Sequence, residues 1–135
     1  MWNDYAEYRE CNINTPGVCV VENDDGCLTV SNKRLIPGAL IITDTYGFIQ
    51  GETEKANVPV AVAGRVLAYT YLPIKMYHAR MPVCSAPNGT IDIMTQKEVQ
   101  EHPEAIIGYI SEIPKYEFWG PNNIPVNGRI WIRVK

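Results

Sequence analysis

The apolar run at 58–72, VPVAVAGRVLAYTYL, limits what this chain can fold into more than any other stretch. β-Branched and aromatic residues suit a pleated, half-buried surface, and Val58, Val60 and Val62 recur at period two, so the run reads as a strand. Pro59 has no N–H to give, which suits a strand entry or an edge. Gly64 in mid-strand predicts a bulge or a close backbone approach, with the strand bending there and changing sheet. A chain organised around such a strand builds a sheet core.

The remaining sequence repeats short strands and turns. Asn23-Asp24-Asp25-Gly26 supplies a hairpin turn between strands at 18–22 and 27–31, because Asp-Gly tolerates positive φ. A calcium-loop reading of the same residues fails, since no Glu follows at the required distance. Leu35-Ile36-Pro37-Gly38-Ala39 reads as a type II turn ahead of a strand at 40–43, and a second short segment with a glycine interruption follows at 44–49. Asn88-Gly89 predicts a hairpin whose returning strand is 90–93. Thr95-Gln96-Lys97-Glu98 matches a capping box, which places one short helix at about 96–102, closed by Pro103. A further apolar strand lies at 105–113. The segment 126–134 alternates, with Ile130, Ile132 and Val134 on one face and Arg129, Trp131 and Arg133 on the other, which is expected to face outward.

Turn signals at this spacing argue for about eight to ten short strands. The expected fold class is all-β: a compact, partly closed β-barrel or sandwich of short strands with one short helix. Residues 1–135 form a single β-rich domain, with an N-terminal arm at about 1–12. In that arm Tyr5 and Tyr8 would face together on a helical turn, while an extended arm docked by its rings fits equally well. Three large rings there (Trp2, Tyr5, Tyr8) call for docking on the body or on a partner chain.

Charge narrows the partners. With 12 basic and 15 acidic residues the net charge is −3, which argues against nucleic acid or an anionic membrane. No apolar run reaches the roughly 18 residues of a spanning helix, and the first residues do not read as a signal peptide, so the expectation is a non-secreted product. Cys11, Cys19, Cys27 and Cys84 are too dispersed for zinc knuckles, and reduced thiols are expected, with Cys19 buried in its apolar run. No cofactor and no metal are expected. A Cys-His enzyme would pair Cys84 with His78 or His102, but no oxyanion-hole motif accompanies them.

The one cluster that invites chemistry is Asp4 with Glu7, the candidate catalytic residues. Carboxylates beside a backbone bond can act as general acid or base, or assist an N→O acyl shift. The plain alternative is a solvated face on an arm docked by its tyrosines.

Asp4-Tyr5-Ala6-Glu7-Tyr8, close to the start of a β-rich segment, resembles the C-terminal intramolecular-chaperone autoprocessing (IMC peptidase-type) domains of phage neck-appendage, tail-fibre and tail-spike proteins. The blocks at 59–66, 105–108 and 126–132 are similar to strand patterns of the same proteins. The resemblance implies a domain that assists folding of an oligomeric fibre and, in some members, cuts itself free. It implies a homotrimer, with the upstream fibre of the same chain as partner, in the virion or in the host cytoplasm during assembly. Any cut would fall at or before Asn3-Asp4. Similar domains follow the motif with Trp and an acidic Asp-Gly-Asn segment, where this chain has Arg9-Glu10-Cys11-Asn12. A non-cleaving structural or receptor-facing virion head domain therefore stays open beside the processing one.

Overall fold

A computed structural model describes residues 3–134; the parts of the expected arm and domain that fall on Met1, Trp2 and Lys135 lie outside the described residues. The chain is all-β, with one sheet curled into a half-barrel and one short α-helix. Its first half holds β1 (Asp4–Arg9), β2 (Cys19–Glu22), β3 (Leu28–Val30), β4 (Leu40–Ile42), β5 (Tyr46–Gln50) and β6 (Val58–Ala68). The second half holds β7 (Pro82–Ala86), β8 (Thr90–Ile93), α1 (Gln96–Glu101), β9 (Gly108–Glu112), β10 (Phe118–Trp119), β11 (Ile124–Pro125) and β12 (Ile130–Val134). The main sheet runs β3-β2-β4-β6-β12-β9-β7-β8, with β1 paired to β6 and carrying β5, while β10 and β11 form a small separate hairpin.

The apolar run at 58–72 does organise the sheet. The first half of β6 pairs with both β1 and β4, and its second half pairs with β12, all antiparallel. Thr43 donates its N–H to the Pro59 carbonyl. The reciprocal bond needs an N–H that Pro59 lacks, so the β4 ladder ends there. Opposite β1 the register slips at Val62, since Tyr5 faces Ala63 while Ala6 faces Ala61. The bulge thus falls at Val62 and Gly64 is the close approach, but β6 stays in one sheet instead of changing sheet.

The two ends of the sheet nearly meet. Ser31 donates its hydroxyl to the Ala86 carbonyl at 2.7 Å, and Gly89 donates its N–H to the Ser31 carbonyl at 3.0 Å. Asn88 and Gly89 both take positive φ, as the hairpin signal requires. A Cβ at Gly89 would stand 2.6 Å from Val18 Cγ1, so a glycine also lets the hairpin tip reach β2. Inside lie Ile41, Val66, Ala68, Ile91, Ile110, Ile130 and Ile132. Fully burying one such large side chain is worth about 2 kcal/mol, more than an exposed ion pair contributes. Apolar packing holds the barrel.

β12 departs from the sequence reading. Of the three residues expected to face outward, only Arg133 does; Arg129 is 2% exposed and Trp131 is fully buried. The connection from β9 folds back over this face. Trp131 packs with Leu67 and Val126 under the edge of Trp119, and donates its Nε1–H to the Tyr116 hydroxyl at 2.7 Å. At Trp131 both faces of β12 are interior, while Arg133 stays exposed.

The helix forms where the capping box placed it, ending one residue early. Thr95 Oγ1 accepts the Glu98 N–H at 3.1 Å, and Glu98 Oε1 accepts the Thr95 N–H at 2.9 Å. Arg34 fastens this turn to the sheet, donating to both Glu98 carboxylate oxygens, to Asp92 Oδ2 at 2.8 Å and to the Ile93 carbonyl at 2.8 Å.

Candidate functional site

The N-terminal segment is a strand of the main sheet. Of the two readings of the arm, the extended one holds: β1 lies between β6 and β5, antiparallel to the first and parallel to the second. Tyr5 stands opposite Phe48 and stacks on it, with centroids 5.0 Å apart and rings 27° from parallel. At least one expected ring therefore docks on the domain's own sheet.

The Asn3–Asp4 peptide is held at the start of this strand. Arg65 donates its N–H to the Asn3 carbonyl at 2.7 Å. Gly64 makes the approach possible: a Cβ there would stand 2.5 Å from that oxygen and 2.8 Å from the Asp4 Cα, and its φ of +87° is one that glycine alone adopts readily. The Asp4 side chain turns inward and is 1% exposed. Its Oδ1 accepts the Thr45 hydroxyl at 2.8 Å, and Thr43 Oγ1 in turn accepts the Thr45 N–H at 3.0 Å. Asp4 Oδ2 and Asn3 Nδ2 are buried with no hydrogen-bond partner among the described residues. Burial pushes the Asp4 carboxyl up to about 6; the nearby Thr43 and Thr45 hydroxyls oppose the rise and the Asp44 charge adds to it. This carboxyl is half-protonated at about pH 6 and mostly ionised at pH 7.

Glu7 is placed elsewhere. Along β1, Asp4 and Ala6 are buried while Tyr5 and Glu7 are more exposed, as strand alternation requires of residues three apart. The Glu7 side chain is 44% exposed and lies 3.8 Å from Arg9, which binds Glu22 more closely at 2.8 Å. The structure does not bring Asp4 and Glu7 together. It brings Asp4 to Thr43 and Thr45, whose signal in the sequence was a polar Thr-Asp-Thr stop directly after the apolar Leu40-Ile41-Ile42.

Between those threonines, Asp44 faces the other way. Arg129 donates to both Asp44 carboxylate oxygens at 3.0 Å and to the Pro125 and Val126 carbonyls, so four of the five N–H groups of a buried guanidinium are used. A cleft of about 490 Å³ opens here, lined by Thr43, Asp44, Thr45, Tyr46, Trp119 and Asn122 among others.

The remaining chemical candidates are dispersed. Cys84 is fully buried with its thiol pushed up by desolvation, whereas His78 is exposed. Burial pushes the Cys19 thiol up to about 12. Among the described residues no three His, Cys, Asp or Glu side chains gather as a metal site would need. No known protein family, curated protein or solved structure matches the chain.

Proposed function

We propose that this chain is an intramolecular-chaperone and self-processing domain at the end of a phage tail or appendage protein, working as a homotrimer with its upstream fibre. Asn3–Asp4 is the bond it cuts. One observation carries the reading: a buried carboxyl that keeps its proton up to about pH 6 sits on the residue that supplies the leaving nitrogen. Water adds to the Asn3 carbonyl carbon, and the Arg65 N–H steadies the oxygen as it gains negative charge. The Asp4 carboxyl gives its proton to its own backbone nitrogen as the C–N bond breaks, and recovers one from the added water. One water is consumed, leaving a carboxyl on Asn3 and an amine on Asp4.

The test is intact-mass analysis with N-terminal sequencing, on this chain and on any longer parent, over hours between pH 5 and 8. A new N-terminus at Asp4 is expected, formed more slowly as pH rises through about 6, absent in Asp4→Asn and unchanged in Glu7→Gln. A trimer that stays intact throughout, or cutting that survives Asp4→Asn, overturns the proposal. The placement of Glu7 on the other face favours a second reading, a non-cleaving structural or receptor-facing head. The intact trimer is the result that would select it.

A further inference from the structure

Of the six arginines, four are matched to carboxylates: Arg9 to Glu22, Arg34 to Asp92 and Glu98, Arg65 to Glu112, and Arg129 to Asp44. Arg80 and Arg133 have no ion pair or side-chain hydrogen bond among the described residues, although the chain carries an excess of acid. Both line the same surface cavity of about 550 Å³, together with Tyr109, Ser111, Ala79 and Ile110. Tyr109 is 41% exposed.

The neighbourhood makes that coincidence costly. Arg133 stands directly opposite Arg65 on β6 and directly opposite Tyr109 on β9, so the three side chains share one face. Like charges opposite one another on a sheet repel. Arg65 is relieved by Glu112 and lies over the Trp131 ring at 4.7 Å; Arg133 has no such relief among the described residues. Arg80 sits in the left-handed region with φ of +74°, seldom adopted by a side chain of its size. Its N–H bonds the Ile110 carbonyl at 2.7 Å, and the Ile110 N–H bonds the Met81 carbonyl at 2.9 Å, which fixes the turn beside β9. Strained backbone held this firmly is a frequent companion of a ligand site.

We infer that Arg80, Arg133, Tyr109 and Ser111 form a site for the carboxylate of an acidic saccharide. Guanidinium forks match a carboxylate in two-point geometry, the tyrosine ring offers a face to the C–H side of a sugar, and the serine hydroxyl meets a ring hydroxyl. The alternatives fit less well. A nucleic acid carries a charge every few ångströms, and two arginines unpaired among the described residues, on a chain of net charge −3, cannot offset that density. An acidic peptide added as a strand needs a free edge, but β9 is paired on both sides, to β12 and to β7. A sparsely charged glycan, read by side chains alone, suits this face. The inference stands independently of the processing reading.

The experiment titrates the intact protein with a short oligogalacturonate, a neutral oligoglucoside of equal length, inorganic phosphate and a poly-glutamate peptide, followed by calorimetry and by NMR of tyrosine rings and arginine Nε–H groups. Oligogalacturonate should bind at least ten-fold more tightly than each other probe, shifting Tyr109. Arg80→Lys with Arg133→Lys should lose most of that affinity while keeping the charge, and Tyr109→Ala should weaken it several-fold, with thermal unfolding reporting that both variants fold. No binding of oligogalacturonate, equal binding by the double lysine variant, or a preference for phosphate or the peptide overturns the inference.

Discussion

Two places in this molecule bury carboxylates, and they do so in opposite ways. Around α1, Arg34 reaches Glu98, Asp92 and the Ile93 carbonyl, and the Glu98 carboxylate also caps the helix. At the start of β1, Asp4 has one threonine hydroxyl on one oxygen and nothing from the described residues on the other. The outcome is a split in acidity. Hydrogen bonds from Arg34, then from the Thr95 N–H, hold Glu98 down at about 2, while desolvation lifts Asp4 to about 6. A carboxylate with a complete set of donors fastens two elements; one left short is stored in a less stable, more reactive form.

The comparison breaks most sharply at Gly64. Gly64→Ala puts a methyl group into the Asn3 carbonyl and strains a positive φ, at a cost of about 3 kcal/mol. Urea unfolding should show that loss, and hydrogen exchange should show β1 opening while α1 stays protected. Equal loss of protection in both places would mean that the two regions are one cooperative unit.

Removing the clasp should cost somewhat less. Arg34→Met leaves Asp92 and Glu98 partly buried without their cation, a loss of about 2 kcal/mol at neutral pH. Because Glu98 is depressed in the folded state, its contribution is present above the ordinary carboxylate range and is lost as pH falls toward about 2. The difference between variant and parent should therefore shrink in acid, as read from unfolding midpoints at pH 7 and pH 3.

Asp4 carries the reverse sign. Its folded-state value lies above its unfolded one, so its contribution is most favourable below about pH 4 and declines as pH rises through about 6. Asp4→Asn should stabilise the fold by up to about 2 kcal/mol at pH 7.5 and by almost nothing at pH 4. Glu7→Gln, on the exposed face, should change stability by less than about 0.5 kcal/mol at either pH. A destabilised Asp4→Asn at pH 7.5 would mean that the unmatched oxygen has a partner in solution.

What the sequence disclosed follows the range of the interactions. The Thr95–Glu98 box, the Asn88-Gly89 hairpin, the Asp25-Gly26 turn and the need for glycine at Gly64 all rest on residues within a few positions, or on one residue's own backbone. β1 was ambiguous because Tyr5 and Tyr8 fit a helical turn as well as an extended arm, and only pairing with β5 and β6 decides between them. β12 misled because alternation reports side-chain direction and cannot report what lies on the second face. Arg129 reads as solvent-facing until Asp44, 85 positions earlier, meets it. The Arg34 clasp spans 64 positions and the Asp4–Thr45 bond 41, so no local pattern joins either set of partners.

Gly64 has one more consequence. Asp4 of β1 and Val134 of β12 both stand in register with it, so the first and last strands meet at a single residue of β6. A short peptide between those strand ends would close the backbone into a ring without moving a strand. The largely exposed 51–57 segment could then be opened in its place. The architecture is in that sense circular.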